Sequence, residues 1–235
     1  MHQGRPEAVT GEGLASEMPE PALAVWEPVF EEFLLHAAPA DAAHDLGHVR
    51  RVVTTARRLA EAEGARLAVV VPAAWLHDCV LLPKDAPDRR RASALAAKRA
   101  GTLLREAGYP EPLVPDVEHA IEAHSFSAGI EPETLEAAVV QDADRLDALG
   151  AVGIARTFLV AGALGSALAH PTDPFPTRRP PDDRRFAVDH FYAKLLTLAG
   201  TMRTAAGRAE AERRTAFLRT FLHQLADEFG TAAGA

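Results

Sequence analysis

Three short clusters in this sequence carry residue types suited to chemistry. The first is Ala43-His44-Asp45-Leu46-Gly47-His48-Val49-Arg50-Arg51-Val52. His44 and His48 are four apart, so on one helix they share a face, the usual spacing for paired ligands. Gly47 and the apolar period beginning at Leu46 instead start the helix near Asp45, a good N-cap residue, leaving only His48 firmly helical. The second is Ala73-Ala74-Trp75-Leu76-His77-Asp78-Cys79. An ionisable pair ending an apolar run needs a partner, because an isolated buried charge costs several kcal/mol. A metal ion serves imidazole and carboxylate together. The alternative is that Asp78 only ends the helix beside a surface His. The third is Gln141-Asp142-Ala143-Asp144-Arg145-Leu146-Asp147, flanked by apolar residues. Asp is a poor helix former, so three of them mid-helix carry a local cost that functional carboxylates would explain. A solvated face with an i,i+3 Asp–Arg pair is the competing reading.

The elements that must position these residues read as helices. The 235-residue chain is 48% hydrophobic and 25% charged, a globular balance, and 6% aromatic, with few alternating β-branched runs. Residues 1–21 read as a flexible lead-in and 22–230 as one all-α domain of about eight or nine helices. The stripe Val25, Val29, Phe33 and His36 marks the first helix. Leu46, Val49, Val52, Val53, Ala56 and Leu59 mark the second, ending near Gly64. Residues 67–82 are apolar all round and read as a buried helix with Pro72 in its first turn. Residues 92–107 form a helix closed by Gly108, and 117–126 a shorter one. A helix starts at Glu131-Pro132-Glu133 and runs to Leu149, with Gly150 as its stop. Further helices cover 151–163, 186–202 and 209–229. Pro171, Pro174, Pro176, Pro180 and Pro181 exclude a helix over 165–184, which reads as a surface connection or a flap over a pocket.

Composition bounds the function. One Cys excludes a disulfide framework or a Cys-rich zinc module. A net charge of −8 argues against duplex nucleic acid, yet leaves room for a local basic pocket for a small anion. No apolar stretch is long and unbroken enough to span a bilayer. No secretory leader is visible, so the expectation is a cytoplasmic protein, with assembly as a homodimer left open.

Together the clusters, one His, a later His-Asp and a later Asp on separate apolar helices, make the chain resemble the HD-domain metal-dependent phosphohydrolases. His48-Val49-Arg50-Arg51-Val52, Leu76-His77-Asp78 with Leu82-Pro83-Lys84 and Arg91-Ala92-Ser93, Ala123-His124-Ser125-Phe126-Ser127, the segment 142–151 and His190-Phe191-Tyr192-Ala193-Lys194-Leu195-Leu196 are similar to small bacterial members. The resemblance covers roughly 25–229. It implies that His48, His77, Asp78 and Asp142 bind one divalent ion, among Mn²⁺, Mg²⁺, Co²⁺, Ni²⁺, Fe²⁺ and Zn²⁺, which activates water. Asp78, His124 and Lys84 are then catalytic candidates. Lys84, Arg145, Arg51 and His44 are candidates for substrate phosphate. His190 reads as a packed side chain and Cys79 as core. Dinuclear relatives use further His ligands, which here only His119 and His124 could supply, so one metal is expected. The implied substrate is a small phosphorylated compound, foremost a nucleotide, cleaved by a nucleotidase or nucleoside triphosphate pyrophosphatase. Two other readings are a non-catalytic ligand sensor of the same fold and a di-iron oxygenase.

Overall fold

The computed structural model describes residues 21–37, 45–82, 88–125 and 128–231. The expected lead-in up to residue 20, His44, Lys84, Phe126 and Ser127 lie outside them. Among the described residues there are nine α-helices, α1 (Leu23–Ala37), α2 (Leu46–Glu63), α3 (Leu67–Leu76), α4 (Ala92–Ala107), α5 (Val114–Ala123), α6 (Leu135–Leu146), α7 (Gly150–Ala163), α8 (Asp189–Ala193) and α9 (Ala205–Glu228), with three short 3₁₀ segments and no β-strand. No single described helix is long and apolar enough to cross a membrane.

Local chemistry sets several boundaries. Asp45 caps α2 by accepting from the His48 amide at 2.7 Å, and Gly64 closes the helix at φ 76°. Gly108 closes α4 in the same left-handed conformation. Other boundaries differ from the sequence reading. Pro132 precedes α6, whose N-cap is Thr134, accepting from the Ala137 amide. Gly150, expected as a helix stop, opens α7 instead. Residues 186–202 divide into the short α8 and a 3₁₀ segment, Leu195–Thr201.

The central element is α3, which touches α1, α2, α4, α5 and α6. That explains its apolar character all round: every residue from Ala68 to Leu76 is buried. The helix is shorter than expected, and Pro72 sits in its middle rather than its first turn. A mid-helix proline cannot donate to the carbonyl four residues back. The Tyr109 hydroxyl supplies that donor, reaching Ala68 O at 2.6 Å. On α1 the buried residue is Phe30, while Val25 is 68% exposed, so the packed stripe is Trp26, Phe30, Phe33 and Leu34 rather than one through Val25 and Val29.

The proline-rich segment is an ordered connection. Ala167 and Phe186 form a bridge. Asp173 accepts from the Thr177 and Arg178 amides. Asp189, fully buried, accepts from the Arg179 guanidinium and from the Asp182 amide at 2.6 Å.

The long α9 packs on α2, α6 and α7. On it, Glu210 accepts from Arg213 at 2.7 Å and Arg214 at 2.7 Å. The Arg213 hydrogen bond leads in lowering the Glu210 carboxyl from 4.5 to about 2, against a smaller opposing effect of burial. A depressed carboxyl stabilises the fold above its unfolded pKa, and this contribution is lost as pH falls through the folded value. Wild type should therefore lose stability between about pH 4.5 and about pH 2. Glu210→Gln should be less stable at pH 7 and flatter across that window, read by urea unfolding at several pH values.

Candidate metal centre

The three histidines of the centre are held alike. His77 and His124 each follow the last residue of a helix, α3 and α5. There the final carbonyls lack intrahelical donors. His77 Nδ1 lies 2.8 Å from Ala74 O, and His124 Nδ1 lies 2.6 Å from Ile121 O. His48, on the first turn of α2, has Nδ1 2.7 Å from Asp147 Oδ2. A carbonyl or carboxylate oxygen can only accept, so each Nδ1 carries a proton, and His48 and His77 in their neutral form present the Nε2 lone pair.

Those lone pairs converge. His48 Nε2 and His77 Nε2 are 3.3 Å apart. Asp78 Oδ2 is 3.5 Å from His77 Nε2 and 3.8 Å from His48 Nε2. Asp144 Oδ1 is 3.5 Å from His48 Nε2 and 3.9 Å from His77 Nε2. Two lone pairs and two carboxylate oxygens at such spacing repel one another unless a cation lies between them. Ligand atoms about 2.0–2.2 Å from one ion sit roughly 3–4 Å from each other, so His48, His77 and Asp78 fit a divalent metal, with Asp144 beside them. Complete burial of His77 lowers its pKa and favours the neutral ring a metal requires. His124 stands beside the cluster, with Nε2 3.6 Å from Asp78 Oδ1 and its ring edge-on to His77. Burial works against charge on His124, but the Asp78 carboxylate outweighs it and raises the pKa.

The structure corrects the carboxylate expected from α6. Residues two apart on a helix point about 200° away from each other. The face carrying Asp144 and Asp147 turns to His48. The face carrying Asp142 and Arg145 turns to α9. Asp142, wholly buried, accepts from the Arg203 amide at 2.9 Å, the Thr204 amide at 2.8 Å and the Thr204 hydroxyl at 2.8 Å. Asp142 thus anchors the start of α9, and Asp144 is the carboxylate beside the histidines. The two i,i+3 pairs were visible as sequence spacing, but nothing local marks which pair faces the centre. Gly207 fits the Asp142 anchor closely: a Cβ there would lie 2.3 Å from Asp142 Oδ2. Gly207→Ala should cost about 1–3 kcal/mol by overpacking, measurable by chemical denaturation.

Two of the residues expected to meet phosphate already have partners within the protein. Arg145 is buried and donates to Thr201 O at 2.7 Å, so it braces the segment before α9. Arg51 donates to both oxygens of Asp147, at 2.8 and 3.0 Å. Asp147 also accepts from Arg156. This carboxylate is the support for His48. His119 is turned away from the cluster, its Nε2 accepting from the Glu133 amide at 2.9 Å. His190 pairs with Asp183. Cys79 is core as expected: its thiol is pushed up to about 12, chiefly by burial, and donates to Ala96 O.

An all-α domain with a His/His-Asp/Asp cluster at its centre defines a class of helical metal-dependent hydrolase. The family model described as HD domain matches residues 45–149. Over 186 residues the chain is 38% identical to the uncharacterized protein YpgQ of Bacillus subtilis, covering 77% of this chain and 82% of that one. It is also similar to a crystal structure of an HD-superfamily hydrolase from Bacillus thuringiensis, at 35% identity and TM-score 0.68, covering 86% of this chain and 96% of the other. The crystal structure of YpgQ in complex with ADP aligns at 33% identity and TM-score 0.66, covering 86% and 93%. The chain belongs to the HD domain family.

Proposed function

We propose that this protein is a metal-dependent phosphohydrolase acting on a small phosphorylated substrate, foremost a nucleotide, as nucleotidase or nucleoside triphosphate pyrophosphatase. The observation that carries this reading is the convergence of the His48 and His77 imidazoles with Asp78 and Asp144. The ADP complex of the similar YpgQ supports the nucleotide. His48, His77, Asp78 and Asp144 would hold one divalent ion, which when bound polarises a phosphoryl oxygen and acidifies a water.

The chain's own groups divide the remaining work. Asp78 turns one oxygen to the imidazoles and the other to His124, and is the acceptor for the attacking water's proton. His124 is placed to bind the phosphoryl group or to give a proton to the leaving oxygen. Lys84 and His44, beside the His-Asp turn and the start of α2 in sequence, are proposed to meet phosphate charge.

The test is a panel of nucleoside mono-, di- and triphosphates given to metal-stripped protein, with Mn²⁺, Mg²⁺, Co²⁺ or Ni²⁺ restored. Release of phosphate or pyrophosphate should require metal and disappear in Asp78→Ala. No turnover of any member by metal-loaded protein would defeat the nucleotide reading. The same panel with non-nucleotide phosphates would then decide between a hydrolase and a ligand sensor.

A further inference from the structure

A cavity of about 620 Å³ opens between α2, the start of α7 and α9, on the Asp147 side of His48. Its volume is that of a small-molecule site. Five arginines line it, Arg50, Arg51, Arg58, Arg213 and Arg214, against one carboxylate, Asp147. Including the partners Glu31 and Glu210, five guanidinium groups face three carboxylates. Arg213 and Arg214 share the single Glu210. Arg58 is exposed and pairs with no carboxylate among the described residues. This concentration of positive charge is set in a chain of net charge −8. Self-repulsion among clustered guanidinium groups is relieved by a multiply charged anion, and their forked donors match phosphate oxygens.

The rest of the lining adds to that chemistry. Thr54 and Thr55 bring hydroxyls. The first amides of α7 open there without a side-chain cap, since Leu149 occupies the N-cap position. Phe217, half exposed, and Leu149 and Val152 add apolar residues to the lining.

We infer that this arginine-lined cavity is a second anion site, separate from the metal centre, that takes the phosphate chain of a nucleoside polyphosphate or a free polyphosphate. The experiment is calorimetric titration of the full-length chain, in chelator and without divalent ions, with inorganic tripolyphosphate and with a nucleoside triphosphate bearing an α,β-methylene bridge. The same titrations are made on Asp144→Ala and on the double variant Arg58→Ser/Arg213→Ser. These two arginines are on the surface, and a melting curve verifies that the double variant is folded.

Binding should persist in Asp144→Ala, and its Kd should rise at least tenfold in the double variant. Phe217→Ala separates the two ligand sources. Weaker nucleotide binding with tripolyphosphate unchanged identifies a nucleoside polyphosphate, and no change in either identifies the phosphate chain alone. A Kd unaltered in the double variant, or no binding to Asp144→Ala, overturns the site. Because the readout is binding without metal or turnover, it stands or falls separately from the proposed hydrolysis.

Discussion

Asp144→Ala should abolish metal-dependent turnover while leaving the apoprotein folded, whereas Asp142→Ala should do the reverse damage. Asp144 is 27% exposed, lies 3.5 Å from His48 Nε2 and 3.9 Å from His77 Nε2, and faces the centre. Removing it takes away a proposed ligand and relieves carboxylate crowding in the apoprotein. A metal contributes several kcal/mol to a phosphoryl transition state, so the expected loss is about a thousandfold or more in kcat/KM. Metal should no longer raise the melting temperature. Asp142 has no exposed surface and accepts two amides and a hydroxyl where α9 begins. Its removal leaves buried donors without an acceptor, at about 1–3 kcal/mol each. A total of roughly 3–5 kcal/mol lowers the melting temperature of a domain this size by about 10 °C. Metal titration followed by thermal melts of both variants reads the contrast. If instead Asp142→Ala loses metal while keeping its stability, and Asp144→Ala keeps its metal, the assignment is reversed.

The second large effect belongs to Asp147. Its carboxylate holds the Nδ1 proton of His48, takes two donors from Arg51 and one from Arg156, and is nearly buried. Burial opposes its ionisation, yet the hydrogen bonds from His48 and Arg51 prevail and hold the carboxyl well below the usual carboxylate range. The ionised form fixes the His48 tautomer, keeping the Nε2 lone pair turned to the centre. Asp147→Ala should weaken metal binding by about 10–100-fold, the usual cost of losing a ligand's hydrogen-bonded support. It also strands two arginines beside a buried ring, and breaking a buried ionic network on one side costs about 3–5 kcal/mol. Asp147→Asn separates the two effects. It retains the shape and one acceptor, so it should recover part of the metal affinity while remaining less stable than wild type. Metal affinity measured by competition with a chelating dye reads this directly. Unchanged affinity in Asp147→Ala would reduce Asp147 to a purely structural brace.

How much of this was legible in the chain follows the range of the forces involved. Asp45 before the apolar period of α2, and Gly64 and Gly108 after α2 and α4, mark helix ends through backbone chemistry within a few residues. The unbroken apolar run of α3 announced a helix enclosed on every side. His48 and the His77-Asp78 pair stood out because apolar helices rarely carry such groups, and the structure brings all three together.

What only tertiary structure decided is which way each face turns. Asp142 and Asp144 have the same chemistry on the same helix, and a rotation of about 200° separates an α9 anchor from a neighbour of the histidines. That rotation is set by α2, α5 and α9 packing on α6, elements up to about a hundred residues distant in sequence. The same holds for Pro72, whose missing donor comes from Tyr109, and for Arg51, whose charge goes to Asp147 rather than to open solvent. Local sequence determines where helices begin and end and which of them must be buried. The partner of a buried polar group is chosen by long-range packing, because such a group accepts whatever donor the assembled core brings within reach.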